Sequence, residues 1–163
     1  MSDVVDEAAQ QPVFPATLDL SNADTRGNFM ENGWKDAVVS EVTPVLTENP
    51  DGKLPVGTPG INVMFTIDGG PYNDRKVWNR YWFPPVEYDA EKRNKSLGMF
   101  ARFLTAIGYP EETVKSPGFN LDIADMVSRT CKVNTKYDET YDNNRVNGVK
   151  ARDASGGTAG GVL

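Results

Sequence analysis

Histidine is absent from this chain of 163 residues, and cysteine occurs once, at Cys131. Without histidine there is no Ser-His-Asp or Cys-His nucleophilic centre and no ordinary zinc site, and a single cysteine closes no internal disulfide. Cys131 falls in an alternating run, where a small buried apolar residue is the expected role rather than a nucleophile. Long apolar stretches are also missing: none approaches the roughly 20 residues a membrane helix requires. The opening residues Met1-Ser2-Asp3-Val4-Val5-Asp6-Glu7 are acidic where a secretory signal is basic and then apolar, so the expectation is a cytoplasmic protein without membrane association. No phosphate loop or dinucleotide fingerprint appears, because Gly156-Gly157 and Gly160-Gly161 have no strand before them. Asp122 and Asp125 stand three apart and are read as partners of a helix dipole rather than as metal ligands. These absences predict a protein that is no enzyme and carries no cofactor.

What is present fits one folded domain. The chain is 39% hydrophobic and 25% charged, the balance of an ordinary globular protein, and its length suits a single core. The net charge of −6 is unevenly spread. Residues 1 to 50 hold nine acids against Arg26 and Lys35, net −7, which leaves +1 for the remainder, so the part expected to fold is nearly neutral. Residues 1–28 lack a sustained period and read as a flexible acidic arm, 29–153 as the domain, and 154–163 as a disordered Gly-rich tail.

Within the domain, Trp34 to Leu46 reads as a first strand and is followed by the turn signal Asn49-Pro50-Asp51-Gly52. Ile61 to Ile67 alternates cleanly, with Ile61, Val63, Phe65 and Ile67 on one face. Asp68-Gly69-Gly70-Pro71 turns the chain into a third strand, Lys76 to Phe83. After Pro84-Pro85, Asp89 can cap a helix whose Leu97, Phe100, Phe103, Leu104 and Ile107 recur at helical spacing, with Gly108 and Pro110 as its stop. A second short helix is expected from Asn120 to Val127. Thr130 to Tyr137 and Arg145 to Arg152 complete five strands. Val63, Phe65, Ile67, Phe100, Leu104, Ile107 and Val133 are the expected core. The order predicts a β-rich α+β domain, a five-stranded OB-fold-like barrel with a helical segment between strands three and four.

The third strand carries the chemistry. Successive strand side chains point to opposite faces, so Lys76, Trp78, Arg80 and Trp82 share one side. Cations interleaved with indoles suit a single-stranded polyanion, since cations meet phosphates and rings stack on bases. The alternative is packing, with the two indoles half buried under lysine and arginine stems. Lys132 and Lys136 on the fourth strand, with Arg145, Lys150 and Arg152 at the end, extend the candidate nucleic-acid-binding set. Tyr137 and Tyr141 are further stacking candidates.

The stretches Gly60 to Ile67, Tyr72 to Trp78, Phe103 to Gly108, Thr130 to Val133 and Asn143 to Val146 together resemble a bacteriophage family of unknown function, over roughly residues 34 to 152. Its members are often labelled single-stranded DNA-binding proteins and tend to be encoded near recombination or replication genes. The chain departs from that pattern at Asp74 and Ser128, turn positions where glycine is common. The resemblance implies sequence-independent binding of single-stranded DNA in the host cytoplasm during phage replication or recombination, alongside other proteins of those processes. The alternative is a phage protein-interaction or virion-associated protein that grips a partner with the same aromatic strand. An exposed edge strand would serve a homo-oligomer equally well.

Overall fold

A computed structural model describes residues 17 to 152. The tail expected over 154–163 and most of the expected arm therefore lie outside the described residues. Five antiparallel strands form one sheet: β1 (Gly33–Leu46), β2 (Pro59–Ile67), β3 (Lys76–Trp82), β4 (Thr130–Asp138) and β5 (Asn143–Lys150), in the order β3-β2-β1-β4-β5. Between β3 and β4 lie α1 (Ala90–Ala106), the single turn α2 (Glu111–Val114) and a 3-10 turn at Ile123–Met126. The expected helix over 120–127 is thus reduced to that 3-10 turn, and the turn α2 had no counterpart in the sequence reading.

The barrel expected from the sequence is not closed by hydrogen bonds, because no ladder joins β3 to β5. Each neighbouring pair in the sheet is antiparallel. The two edges therefore run in the same direction, and they approach to within 8 Å between Cα atoms. They leave an unpaired seam.

Alternation on β2 sends Ile61, Val63, Phe65 and Ile67 inward, each no more than 4% exposed. They share the core with α1, which Phe65 meets at Phe103 and whose first turn is held by the Asp89 carboxylate accepting from the Lys92 backbone N–H at 3.0 Å. Gly108, at φ +109°, takes the chain out of the helix in a conformation that costs glycine little. Phe103 is the centre of the core, stacked on Tyr81 with ring centroids 4.7 Å apart and edge-on to Phe65 at 5.8 Å. Each such fully buried side chain contributes roughly 1.5 to 3 kcal/mol of hydrophobic stabilisation. Six of the seven expected core residues are fully buried, while Phe100 packs partly buried against the cluster.

Two bulges re-aim the outer face. The β1–β2 register shifts between Val39 and Glu41, and the β4–β5 register shifts between Asn134 and Thr135. The second shift matters for the site, since Arg145 and Lys150 are five apart and strict alternation would place them on opposite faces. The extra residue on β5 leaves Arg145 opposite Lys136 and Lys150 opposite Lys132, so both point outward. Asp74 and Ser128, the turn positions at which glycine is expected to be common, have φ of 72° and 79°, so these turns do demand a left-handed residue.

Candidate nucleic-acid interface

The two faces of β3 are sharply distinct. Val77 and Tyr81 are 2% and 4% exposed, whereas Trp78 is 52% exposed. Lys76 and Arg80 are exposed on the side of Trp78, and Trp82 is half buried there. Burial raises the Tyr81 hydroxyl well above the usual tyrosine range, as expected of a ring inside the core.

Trp82 is half buried for a local reason. Its indole lies across Gly60, its partner on β2, and a Cβ on Gly60 would fall 2.4 Å from the ring's Cε3. Only glycine admits the ring at that depth, so Trp82 is a fixed platform. Trp78 instead lies beside Met64 on β2, with Glu41 next in the row on β1. Arg80 is in register with Asn62, and it makes no hydrogen bond or ion pair with another described residue. Lys76 reaches only the Thr66 hydroxyl at 3.3 Å and the Asp74 carbonyl at 3.5 Å.

The seam brings β3 and β5 together into a groove of about 1110 Å³. Its cationic walls are Arg75, Lys76 and Arg80 on one side and Arg145 on the other, with Trp78 between them. Five asparagines, Asn28, Asn62, Asn79, Asn143 and Asn144, supply the remaining polar surface, and among the described residues no Asp or Glu lines it. Arg75 donates to the Asn28 carbonyl at 2.7 Å, and Asn144 donates to the same oxygen at 2.6 Å. The expected arm is therefore tied to the domain at its last residue.

The remaining sequence candidates divide. Lys136 is exposed and lies in register with Arg145. Arg145 is held at 2.8 Å by Asp138, whose carboxyl it keeps below the usual range, and sits over the exposed Tyr141 ring at 5.8 Å. Lys132 forms an ion pair with Asp36 at 3.0 Å. Arg152 bridges Asp68 at 2.9 Å and Asp36 at 3.2 Å. Lys150 lies 4.3 Å from the centroid of the Trp34 ring, a cation–π contact. Tyr137 packs edge-on to Phe29 and donates its hydroxyl to Asp142, which raises its pKa to about 12.

Two residues of the alternative chemistries are accounted for locally. Asp122 accepts from the Ala124 N–H at 3.0 Å, while Asp125 accepts from Tyr109 and Arg129, each at 2.8 Å. The Cys131 thiol is fully buried on β4, and burial raises its pKa to about 12, so it is held protonated.

Sequence reasoning missed Arg75, the five asparagines and Trp34. Arg75 precedes the alternating run, and Asn143-Asn144 enters the sequence reading only as part of the stretch that carries the phage-family resemblance. Trp34, 43% exposed, stands at the start of β1 without a cation beside it in the outward pattern; Lys150 reaches it from two strands away. Searched against known proteins, the chain matches no family model and no curated protein. The likeness to the phage family rests on the motifs quoted above.

Proposed function

We propose that the protein binds single-stranded nucleic acid with little sequence preference, DNA being the form that the phage-family resemblance implies, and acts in phage replication or recombination. One observation carries this reading: the groove along the seam places four cations, of which Arg145 is paired with Asp138, around an exposed indole, with no carboxylate in its walls among the described residues. Cations there meet phosphates, and Trp78 offers a base a stacking partner worth about 1 to 3 kcal/mol. The asparagines can donate to or accept from any base edge, which favours tolerance over readout. The exposed cations and indole of the groove lie on strands rather than on a helix, and a strand face suits unstacked bases.

The sheet order also supports this reading. An OB barrel is a five-stranded, partly open Greek-key barrel, and this sheet has five strands whose outermost members lie side by side without pairing. We read the protein as an OB-like binding domain opened at that seam. It is a binding protein in this reading, not an enzyme, since Asp122 and Asp125 are engaged in a turn cap and an ion pair.

The test is a titration of the protein with labelled oligothymidine at two salt concentrations. Binding that weakens with salt, with a slope of about 0.7 per phosphate contact in log affinity against log salt, supports the proposal. Binding that is absent, or that favours duplex over single strand, rejects it. A second reading, a protein-interaction role, draws on the apolar surface beside Trp82, where Leu46 and Val56 are 61% and 59% exposed. It takes over if no oligonucleotide binds.

A further inference from the structure

The groove does not end at Arg145. Asn79 and Val146 line both it and a smaller cleft of about 300 Å³ that continues along the seam toward α1. Trp34, Asn147 and Gly148 form one wall of this cleft, and Arg102 and Met99 of α1 form the other. Arg102 and Val149 are shared in turn with a third depression, of about 460 Å³, between β5 and the end of α1, where Lys150 also stands. The carboxylate lining that depression, Glu111, is paired with Lys115 at 3.0 Å. Arg102 is exposed and makes no hydrogen bond or ion pair with another described residue.

Trp34 is positioned for stacking by its neighbours. Gly148 and Asn134 lie beside it in one outward row. A Cβ on Gly148 would stand 3.4 Å from the tip of its ring, an ordinary contact, so the indole lies over β5 at the edge of the cleft. The Lys150 ammonium lies against the ring. An exposed indole, two cations and the free edges of two strands thus continue the chemistry of the first groove in the same direction.

Building on the single-strand reading above, we infer that the Trp34–Arg102–Lys150 cleft is a second subsite for the same single-stranded nucleic acid. The strand passes from Trp78 along the seam between β3 and β5 and stacks a further base on Trp34, while Arg102 and Lys150 meet its phosphates. From Asn143 to Lys150, β5 rises roughly 23 Å. A short oligonucleotide is therefore held by the first groove alone, and a long one engages both.

The experiment compares oligothymidines of about 4 and about 16 nucleotides, the range of site sizes for one OB domain, on wild type, Trp34→Ala, Arg102→Ala and the control Lys92→Ala. Lys92 lines a depression with Leu46, Leu54 and Trp82 that no residue of β5 borders. Trp34→Ala is expected to weaken the long oligonucleotide roughly 5- to 150-fold and leave the short one unchanged. Arg102→Ala should flatten the salt slope of the long oligonucleotide by about 0.7 and again spare the short one. Lys92→Ala should alter neither. Arg102 is exposed on a helix, so its variant decides the matter should Trp34→Ala fail to fold. Wild-type affinity for the long oligonucleotide in the folded variants overturns this subsite and leaves the first groove standing, as does a loss confined to Lys92→Ala. Failure of wild type to bind either length rejects the single-strand reading and this subsite with it.

Discussion

The outward faces of β3 and β4 both carry cations at strand period, and the fold treats the two sets differently. On β4, Lys132 lies 3.0 Å from Asp36 with its side chain only 20% exposed, and Arg152, just past β5, ties the same carboxylate to Asp68. On β3, Arg80 meets no carboxylate among the described residues, and Lys76 touches only a hydroxyl and a carbonyl. The ladders explain the difference. Asp36 is the direct partner of Lys132 across β1 and β4, whereas β2 presents Asn62, Met64 and Thr66 to β3. A row of cations in a strand says nothing by itself about its use. Here the residue across the ladder separates Lys132, paired within the sheet, from Arg80, left open to solvent.

The largest expected effect tests the inner side of β3. Tyr81→Ala should cost roughly 3 to 5 kcal/mol in denaturant unfolding, because the ring is stacked on Phe103 in a closed core. A loss below 1 kcal/mol would show that the two sides of this strand are not divided as described.

Next comes the paired set. Asp36→Ala removes the shared partner of Lys132 and Arg152 and should destabilise the protein by about 1 to 3 kcal/mol, less than a fully buried pair because these side chains are partly exposed. This contribution depends on pH. Burial alone would raise the Asp36 pKa, but the Lys132 hydrogen bond and the Arg152 charge outweigh it and bring the carboxyl below its usual value. A carboxyl depressed in the folded state stabilises above its unfolded pKa of about 3.9 and loses that contribution as pH falls through its folded value. The melting-temperature gap between wild type and Asp36→Asn should therefore be full at neutral pH and shrink below about pH 4. A gap that is constant with pH would mean the Asp36 charge is not what matters.

On the facing side, Trp78→Ala should weaken oligothymidine binding by about 1 to 3 kcal/mol with little change in melting temperature. Coupled loss of affinity and stability would return Trp78 to a packing role. The smallest and sharpest contrast is in salt dependence. Arg80→Ala should flatten the slope of log affinity against log salt by about 0.7, while Lys132→Ala should leave it unchanged. Equal slopes in the two variants would erase the distinction between free and paired cations.

Much of the scaffold was legible in local sequence. The period of Ile61 to Ile67, the Asp89 cap and the Gly108 stop are short-range signals, and each element formed where its signal lay. The face of Lys76, Trp78, Arg80 and Trp82 was legible for the same reason, since β3 has no bulge. Whatever depends on partners far along the chain was not. Asp36 and Arg152 are 116 residues apart, and no local pattern reveals that one neutralises the other. Arg145 and Lys150 share a face only because of a bulge at Asn147, for which Gly148 within a strand is the sole local sign and gives no register. Trp34 became a candidate only when three strands were set side by side. Closure failed to follow from strand order for a related reason: whether β3 and β5 pair depends on how far the whole sheet curls.

The open seam ties occupancy to folding. Its two edges belong to opposite ends of the sheet, and no backbone hydrogen bond fastens one to the other. On the proposed reading, a nucleic-acid strand touching Arg80 and Arg145 at once would act as the missing rung and clasp the sheet into a ring. Any ligand that binds the folded state alone raises its stability by about 2.7 kcal/mol at one hundred times its dissociation constant. Hydrogen exchange would record that clasp at the facing amides of β3 and β5, which should slow together on binding although they lie some sixty-five residues apart in the chain.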